Sequence, residues 1–222
     1  VTAVFLQVRL GSTRLPRKAL ADLGGRTVTQ RCFDALDRVH ADVRVLVTEP
    51  GSSSELEPLV RDAGWDMFVG SRNDVLDRFV RAARAYAVST IVRATGDNPL
   101  VSAALANELL DRHRRTSADY SGFTGGPVGT GVEILRAAAL ETAWASSPSE
   151  YQREHVGPAL YQGTGFAIER PEVPERCRAP QTSVTIDTAD DLAYVRSLWS
   201  AVYQGQPPEP EELIPWLNRH PR

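Results

Sequence analysis

Val4-Phe5-Leu6-Gln7-Val8-Arg9-Leu10-Gly11-Ser12-Thr13-Arg14-Leu15-Pro16-Arg17-Lys18 is the stretch on which the fold turns. Its first five residues are a short apolar run that stops at a glycine-containing loop, the pattern of a buried strand. Next, Thr27-Val28-Thr29-Gln30 matches a capping box, and Val28, Cys32, Ala35, Leu36 and Val39 recur at helical spacing. Residues 43–48 alternate β-branched and polar side chains before Pro50 and Gly51, which predicts a second strand. A second capping box, Ser52-Ser53-Ser54-Glu55, predicts a helix with Leu56, Leu59 and Val60 on one face, ending at Gly64. The alternation continues with strand 66–69, helix 74–86, strand 89–95 and helix 102–114. Repeated β-loop-α units imply an α/β fold whose doubly wound sheet is mostly parallel. In such sheets ligands bind outside the carboxyl ends of the strands, so the residues that follow each strand carry the functional expectation.

The second half differs. Residues 121–131 are rich in glycine, and a strand at 132–135 and an alanine-rich helix follow. Helices are expected at 150–161 and 189–203, strands at 165–169 and 183–186, and a short helix at 210–217 in a tail with five prolines.

Two hundred and twenty-two residues suit one α/β domain, 1–222. Hydrophobic residues at 42%, charged residues at 24%, 16 glycines and 15 prolines exclude collagen, coiled-coil and disordered classes. No apolar run approaches the ~20 residues that span a bilayer, and residues 1–6 lack the basic flank of a signal peptide, so no membrane partner and a cytoplasmic location are expected. A net charge of −3 argues against nucleic acid as a partner. Cys32 and Cys177 are too sparse for a zinc ribbon or disulfide scaffold and read as buried or idle thiols. His40, His113 and His220 read as surface residues.

Residues 9–18 pack four cations, two hydroxyls and one glycine into ten positions. Glycine lets backbone N–H groups approach an anion and Arg or Lys neutralises phosphate oxygens, so polyphosphate is the natural partner. Spacing excludes a Walker P-loop, since Pro16-Arg17-Lys18 stands where Gly-Lys-Ser/Thr is needed, and the dinucleotide fingerprint fails as well. Lys18 is the only lysine among 25 basic residues, which suggests that this position requires a compact ammonium.

Gln7 to Lys18 resembles the loop Gln-Ala-Arg-x-Gly-Ser-x-Arg-Leu-Pro-Gly-Lys of the cytidylyltransferases of the spore-coat polysaccharide and CMP-sugar-acid synthetase type. It departs at two fixed positions, Val8 for Ala and Arg17 for Gly. The resemblance recurs along the chain. Gly70 to Arg78 is similar to the family's Gly-x-x-x-Asp-Val-Leu-x-Arg, Arg93 to Leu100 to Arg-x-Thr-Gly-Asp-x-Pro-Leu, and Thr185 to Leu192 to Thr-x-Asp-Thr-x-Asp-Asp-Leu. Arg153-Glu154-His155-Val156 resembles a further family segment.

The resemblance implies a Rossmann-like nucleotidyltransferase fold and Mg²⁺-dependent transfer of CMP from CTP to an acceptor. On it, Arg9, Arg14 and Lys18 act on the triphosphate, and Asp97 and Asp187 hold the metal; each aspartate taken alone reads as a helix cap. Gln7, Gly11, Ser12, Thr48, Gly70, Asp74, Arg78 and Gly96 are implied in binding CTP, although Asp74 also reads as a cap and Arg78 as its ion-pair partner one turn on. Arg93 and Glu133 are implied on the acceptor side, and His155 is a candidate for the acceptor side or an oligomer contact, although a histidine on a helical face more often packs through a hydrogen bond. Gly129-Thr130-Gly131 stands where relatives carry Pro-Asp-Gly or Pro-Lys-Gly, and this short segment favours a small phosphonate acceptor such as phosphonoformate or 2-aminoethylphosphonate over an octulosonate or nonulosonate. A homodimer is expected through residues 122–162, within an acceptor and dimerisation excursion at 120–175, with Phe123, Trp144, Tyr151 and Tyr161 as interface aromatics. A glycosyltransferase and a catalytically idle nucleotide-binding protein remain as other classes; the first should carry Asp-x-Asp where Gly96-Asp97-Asn98-Pro99 stands, and the second should have lost Lys18, Asp97 or Asp187.

Overall fold

The computed structural model describes residues 1–146 and 148–221. Strand β1 (Thr2–Gln7) leads through a small hairpin, β2 (Asp22–Leu23) and β3 (Arg26–Thr27), into helix α1 (Val28–Leu36). There follow β4 (Val43–Thr48), α2 (Pro50–Ala63), β5 (Asp66–Val69), α3 (Val75–Ala85), β6 (Thr90–Thr95) and α4 (Ala103–Thr116). The second half adds β7 (Tyr120–Gly122), β8 (Glu133–Arg136), α5 (Ala137–Ala145), α6 (Glu150–His155), α7 (Pro158–Tyr161), β9 (Ile168–Glu169), α8 (Ala189–Val202) and α9 (Pro210–Arg219). One sheet has the order β5-β4-β1-β6-β8-β7-β9. β5, β4, β1 and β6 are mutually parallel, as the helical crossovers require. β8 runs antiparallel to β6 and β7, because the glycine-rich stretch returns the chain as a wide hairpin instead of a helix.

β1 is buried on both faces. Val4 and Leu6 pack under α1, α2 and α4 with Cys32, Phe33, Leu36, Leu56 and Leu109. Ala3 and Phe5 pack under α3, α5 and α7 with Leu76, Phe79, Leu140 and Leu160. A third core joins α8 and α9 to the hairpin through Leu23, Val184, Ile186, Leu198, Trp199 and Trp216. Arg31 fastens it, with its guanidinium over the rings of Trp199 and Tyr203 and its Nε donating to the Leu23 carbonyl at 2.9 Å. β4 and β6 lie on either side of β1, so the sheet reverses its winding there and the site opens at the carboxyl ends of these strands.

Several expectations are corrected. α2 opens at Pro50 with Glu49 as its cap, not at the Ser52-to-Glu55 box; proline loses nothing at N1, and the Glu49 carboxylate accepts from Gly51 N at 2.7 Å. Residues 183–186 form no ladder, since Ser183 makes one isolated bridge to Val128 and Ile186 N donates to the Asp97 carbonyl. The helix expected at 150–161 breaks between α6 and α7. Of the four expected interface aromatics, only Tyr151 is exposed, at 53%; Phe123, Trp144 and Tyr161 are partly buried against the cores.

His113 is no surface residue: it is 4% exposed, and its Nδ1 lies 2.9 Å from Ser121 Oγ. Burial first, and then the charge of Arg136, bring its pKa from 6.5 down to about 4. The unfolded chain therefore binds this proton more readily. The stability that His113 contributes is complete above pH 6.5 and is lost as pH falls from 6.5 toward 4. Urea denaturation should show that His113→Gln removes this part of the acid slope; an unchanged slope would contradict the assignment. Burial likewise pushes the Cys32 and Cys177 thiols up, which makes neither a nucleophile. No helix among the described residues is long and apolar enough to cross a membrane.

Candidate active site

The loop after β1 is anchored at its base and free at its tip. Thr48 Oγ1 donates to the Val8 carbonyl at 2.8 Å, Ser52 Oγ accepts from the buried Leu10 N–H at 2.9 Å, and Arg17 N closes the loop on the Leu10 carbonyl at 3.2 Å. Ser52 Oγ donates in turn to the Glu49 carboxylate, so α2's first turn holds the loop in place. Burial alone would raise the Glu49 carboxyl; hydrogen bonds from Ser52 and Gly51, with the charges of Arg72 and Arg78, outweigh it and hold the group below its ordinary range. Arg17 occupies the left-handed region at φ 60°, ψ 23°, a conformation that favours glycine. The cost of about 1–2 kcal/mol is borne by a residue whose guanidinium pairs with Glu55.

Beyond the loop lies a cavity of about 390 Å³ at the carboxyl ends of β1 and β6. Gln7, Arg9, Ser12, Arg14 and Lys18 enter its wall from one side. Arg93, Gly96, Asp97, Asp187 and His155 enter from the others. Four basic side chains, Arg9, Arg14, Lys18 and Arg93, face three carboxylates, Asp97, Glu154 and Asp187. Lys18 Nζ donates to Asp97 Oδ2 at 3.0 Å, Asp187 Oδ1 at 2.9 Å and the Ile186 carbonyl at 2.7 Å. Arg14 reaches the same Asp187 oxygen at 3.0 Å, and Thr95 Oγ1 donates to Asp97 Oδ1 at 2.6 Å. Two carboxylates distant in sequence thus converge on one cation position. Among the described residues no third His, Cys, Asp or Glu joins them. A pair of hard oxygen donors suits Mg²⁺, which completes its shell with water and phosphate oxygens.

The remaining candidates lie outside this wall. Gly11 is at the loop tip. Thr48 is fully buried on the Val8 carbonyl. Gly70 sits on the Arg78 side chain, where a Cβ would come within 2.8 Å of Cγ. Arg78 is 1% exposed and donates to the carbonyls of Ser71 and Arg72. Burial pulls its pKa below the ordinary arginine value, against the support of Glu49. Asp74 caps α3 through Asp77 N, and its ion-pair partner is Arg153 of α6, not Arg78. Glu133 accepts from Arg93 and from Tyr120 OH, and forms the wall of a second cavity of about 400 Å³ that shares Arg93 and Thr95 with the first. Gly122, Gly125, Gly126, Gly129 and Gly131 line that second cavity.

α6 closes the first cavity from above, with Glu154 3.7 Å from Arg9 and the His155 ring against Tyr151. It ends in a γ-turn: Val156, fully buried, has φ 66° and ψ −68°, and Gly157 N donates to the His155 carbonyl at 2.8 Å. Gly157 must lack a side chain because the Glu133 carboxylate fills that space.

Sequence reasoning missed Glu49, Ser52 and Arg153. Glu49 directly follows a strand's carboxyl end, which is the signal that could have found it. Ser52→Ala should cost about 2 kcal/mol in a urea titration, because it leaves the buried Leu10 N–H without an acceptor. It should also weaken the binding of inorganic tripolyphosphate, measured by calorimetry; unchanged stability would contradict the anchoring role.

A cytidylyltransferase family model matches residues 3–213. The chain is 35% identical to the spore coat polysaccharide biosynthesis protein SpsF of Bacillus subtilis, over 98% of this chain and 94% of that one. It is 26% identical to the 3-deoxy-manno-octulosonate cytidylyltransferase of Koribacter versatilis, over 89% of this chain and 78% of the relative. A solved cytidylyltransferase from Leptospira borgpetersenii superimposes with a TM-score of 0.89 at 25% identity, covering 99% of this chain and 94% of its own. With a family model matched over nearly the whole chain and a relative 35% identical along almost its full length, the chain belongs to the cytidylyltransferase family.

Proposed function

We propose that this enzyme transfers CMP from CTP to a small acidic acceptor, probed first with phosphonates, and releases pyrophosphate in a Mg²⁺-dependent reaction. The observation that carries the reading is the meeting of Arg9, Arg14 and Lys18 with Asp97 and Asp187 in one cavity. An acceptor oxygen attacks the α-phosphorus of CTP, the bond to the β-phosphate's bridging oxygen breaks, and pyrophosphate leaves. Arg9 and Arg14, both more than half exposed, can turn onto triphosphate oxygens and offset the charge that builds there. Asp97 and Asp187 would hold Mg²⁺, which neutralises charge on the reacting phosphate when bound. No covalent nucleophile is required, so catalysis is positioning and electrostatics.

The second cavity supports a small acceptor. Five glycines in its wall keep the 121–131 segment sparse in side chains, and Arg93, which it shares with the first cavity together with Thr95, offers a guanidinium to an acidic acceptor. Similarity to a 3-deoxy-manno-octulosonate cytidylyltransferase supports the other reading, a sugar-acid acceptor. The two differ in their need for a base: an ionised phosphonate oxygen is already nucleophilic, whereas a sugar hydroxyl must lose a proton.

Pyrophosphate release with CTP, Mg²⁺ and a panel of phosphonates and sugar acids tests the choice. Phosphonates should be turned over, at a rate that stays flat in pH above their second pKa once metal and CTP are saturating. Turnover of a sugar acid alone would overturn the phosphonate reading in favour of the sugar-acid one.

A further inference from the structure

We propose that Lys18 is an internal placeholder for the divalent cation: its ammonium holds the position between Asp97 and Asp187 in the free enzyme and leaves when a polyphosphate arrives. The inference rests on the reading that these two aspartates are the cation's ligands. An ammonium has three N–H donors, and here all three are used, on Asp97 Oδ2, Asp187 Oδ1 and the Ile186 carbonyl at 2.7–3.0 Å. The side chain is only 13% exposed, so this is its seated position and not one of many solvent rotamers.

Mg²⁺ held by the same two carboxylates would sit roughly 2.0–2.1 Å from their oxygens. An ammonium already about 3 Å from both leaves no room for it, and the two positive charges repel. Arg14, 3.0 Å from Asp187, adds a second internal cation to the same oxygen. Lysine and metal are therefore competitors for one site. A bound polyphosphate resolves the competition, since it offers Lys18 and Arg14 new oxygens in the adjoining cavity and supplies further ligands to the metal. The backbone need not move: Arg17 N and Lys18 N are bonded to the Leu10 and Leu15 carbonyls, so the exchange is a swing of the four-carbon stem. That task suits lysine's compact charge and flexible stem better than arginine's planar fork, in a chain that otherwise uses arginine throughout.

The test needs no turnover. Mn²⁺ binding to the nucleotide-free enzyme is followed by the electron paramagnetic resonance signal of the free ion, for the parent, Lys18→Met, Asp97→Asn and the double variant. Lys18→Met should bind Mn²⁺ about tenfold more tightly than the parent, the scale of an ordinary coupling between two ligands, and the double variant should lose that gain. Equal affinity in parent and Lys18→Met, with Asp97→Asn abolishing both, would leave the aspartates as ligands and overturn the placeholder. Mn²⁺ binding that no variant alters would overturn the ligand assignment itself, and the placeholder with it. The parent chain offers a second readout that does not depend on a variant's folding. With ¹³C-lysine labelling its single lysine gives one Cε signal, which should hold still on addition of Mg²⁺ alone and move on addition of tripolyphosphate; movement with Mg²⁺ alone and none with tripolyphosphate would overturn the proposal.

Discussion

Asp97→Asn should lower the rate of CMP transfer by about a hundredfold or more while leaving the melting temperature within about 2 °C of the parent. The substitution keeps size and shape, and the amide oxygen can still accept from Thr95 Oγ1. What it removes is one of the two carboxylate charges that converge on the Lys18 ammonium. Lys18→Ala should cost a similar factor, because it removes an ammonium in the cavity wall that can turn onto triphosphate oxygens and offset the charge that builds there. Neither residue belongs to the apolar cores, so neither loss should propagate into folding. Pyrophosphate release and a thermal melt on the same samples decide the matter: a collapsed melt with normal specific activity in the folded fraction would make both residues structural.

Arg78→Ala should do the opposite and act through stability, with a loss of about 3 kcal/mol in urea titration. The buried guanidinium holds the carbonyls of Ser71 and Arg72, and its stem fills the space beneath Gly70. Truncation leaves those carbonyls without their donor, opens a void, and releases the loop that ends in the cap residue Asp74. A variant as stable as the parent that binds CTP far more weakly would return Arg78 to a direct role with nucleotide.

Much of this molecule was legible because its signals are local. A strand followed by a basic glycine-containing loop, the capping box from Thr27 to Gln30, and aspartates directly after predicted strand ends all state their geometry within a few residues. The convergence of Asp97 and Asp187 was legible only through paired motifs, since the two lie on segments far apart in the chain and meet through Lys18. The misses have other causes. Ser52 and Glu55 satisfy a capping box, but Pro50 and the Glu49 carboxylate had already opened the helix, and Ser52 was needed to hold Leu10. Arg78 stood one turn from Asp74, yet burial took it to backbone carbonyls and left Asp74 to Arg153. The break at Val156 was signalled by Gly157-Pro158 inside the helical pattern and went unread there; the packing of Gly157 against Glu133 fixes it in the fold. At Ser52 and Arg78 a tertiary demand overrode a pattern that was locally sound.

Transfer of a cytidylyl group is read most plainly by ³¹P NMR of complete reactions. With Mg²⁺, a phosphonate acceptor, and CTP, UTP, ATP or GTP supplied in turn, pyrophosphate should appear together with a new phosphodiester-type α-phosphorus resonance from CTP, and little or none from the other three. Equal product from all four triphosphates, or inorganic phosphate in place of pyrophosphate, would contradict it.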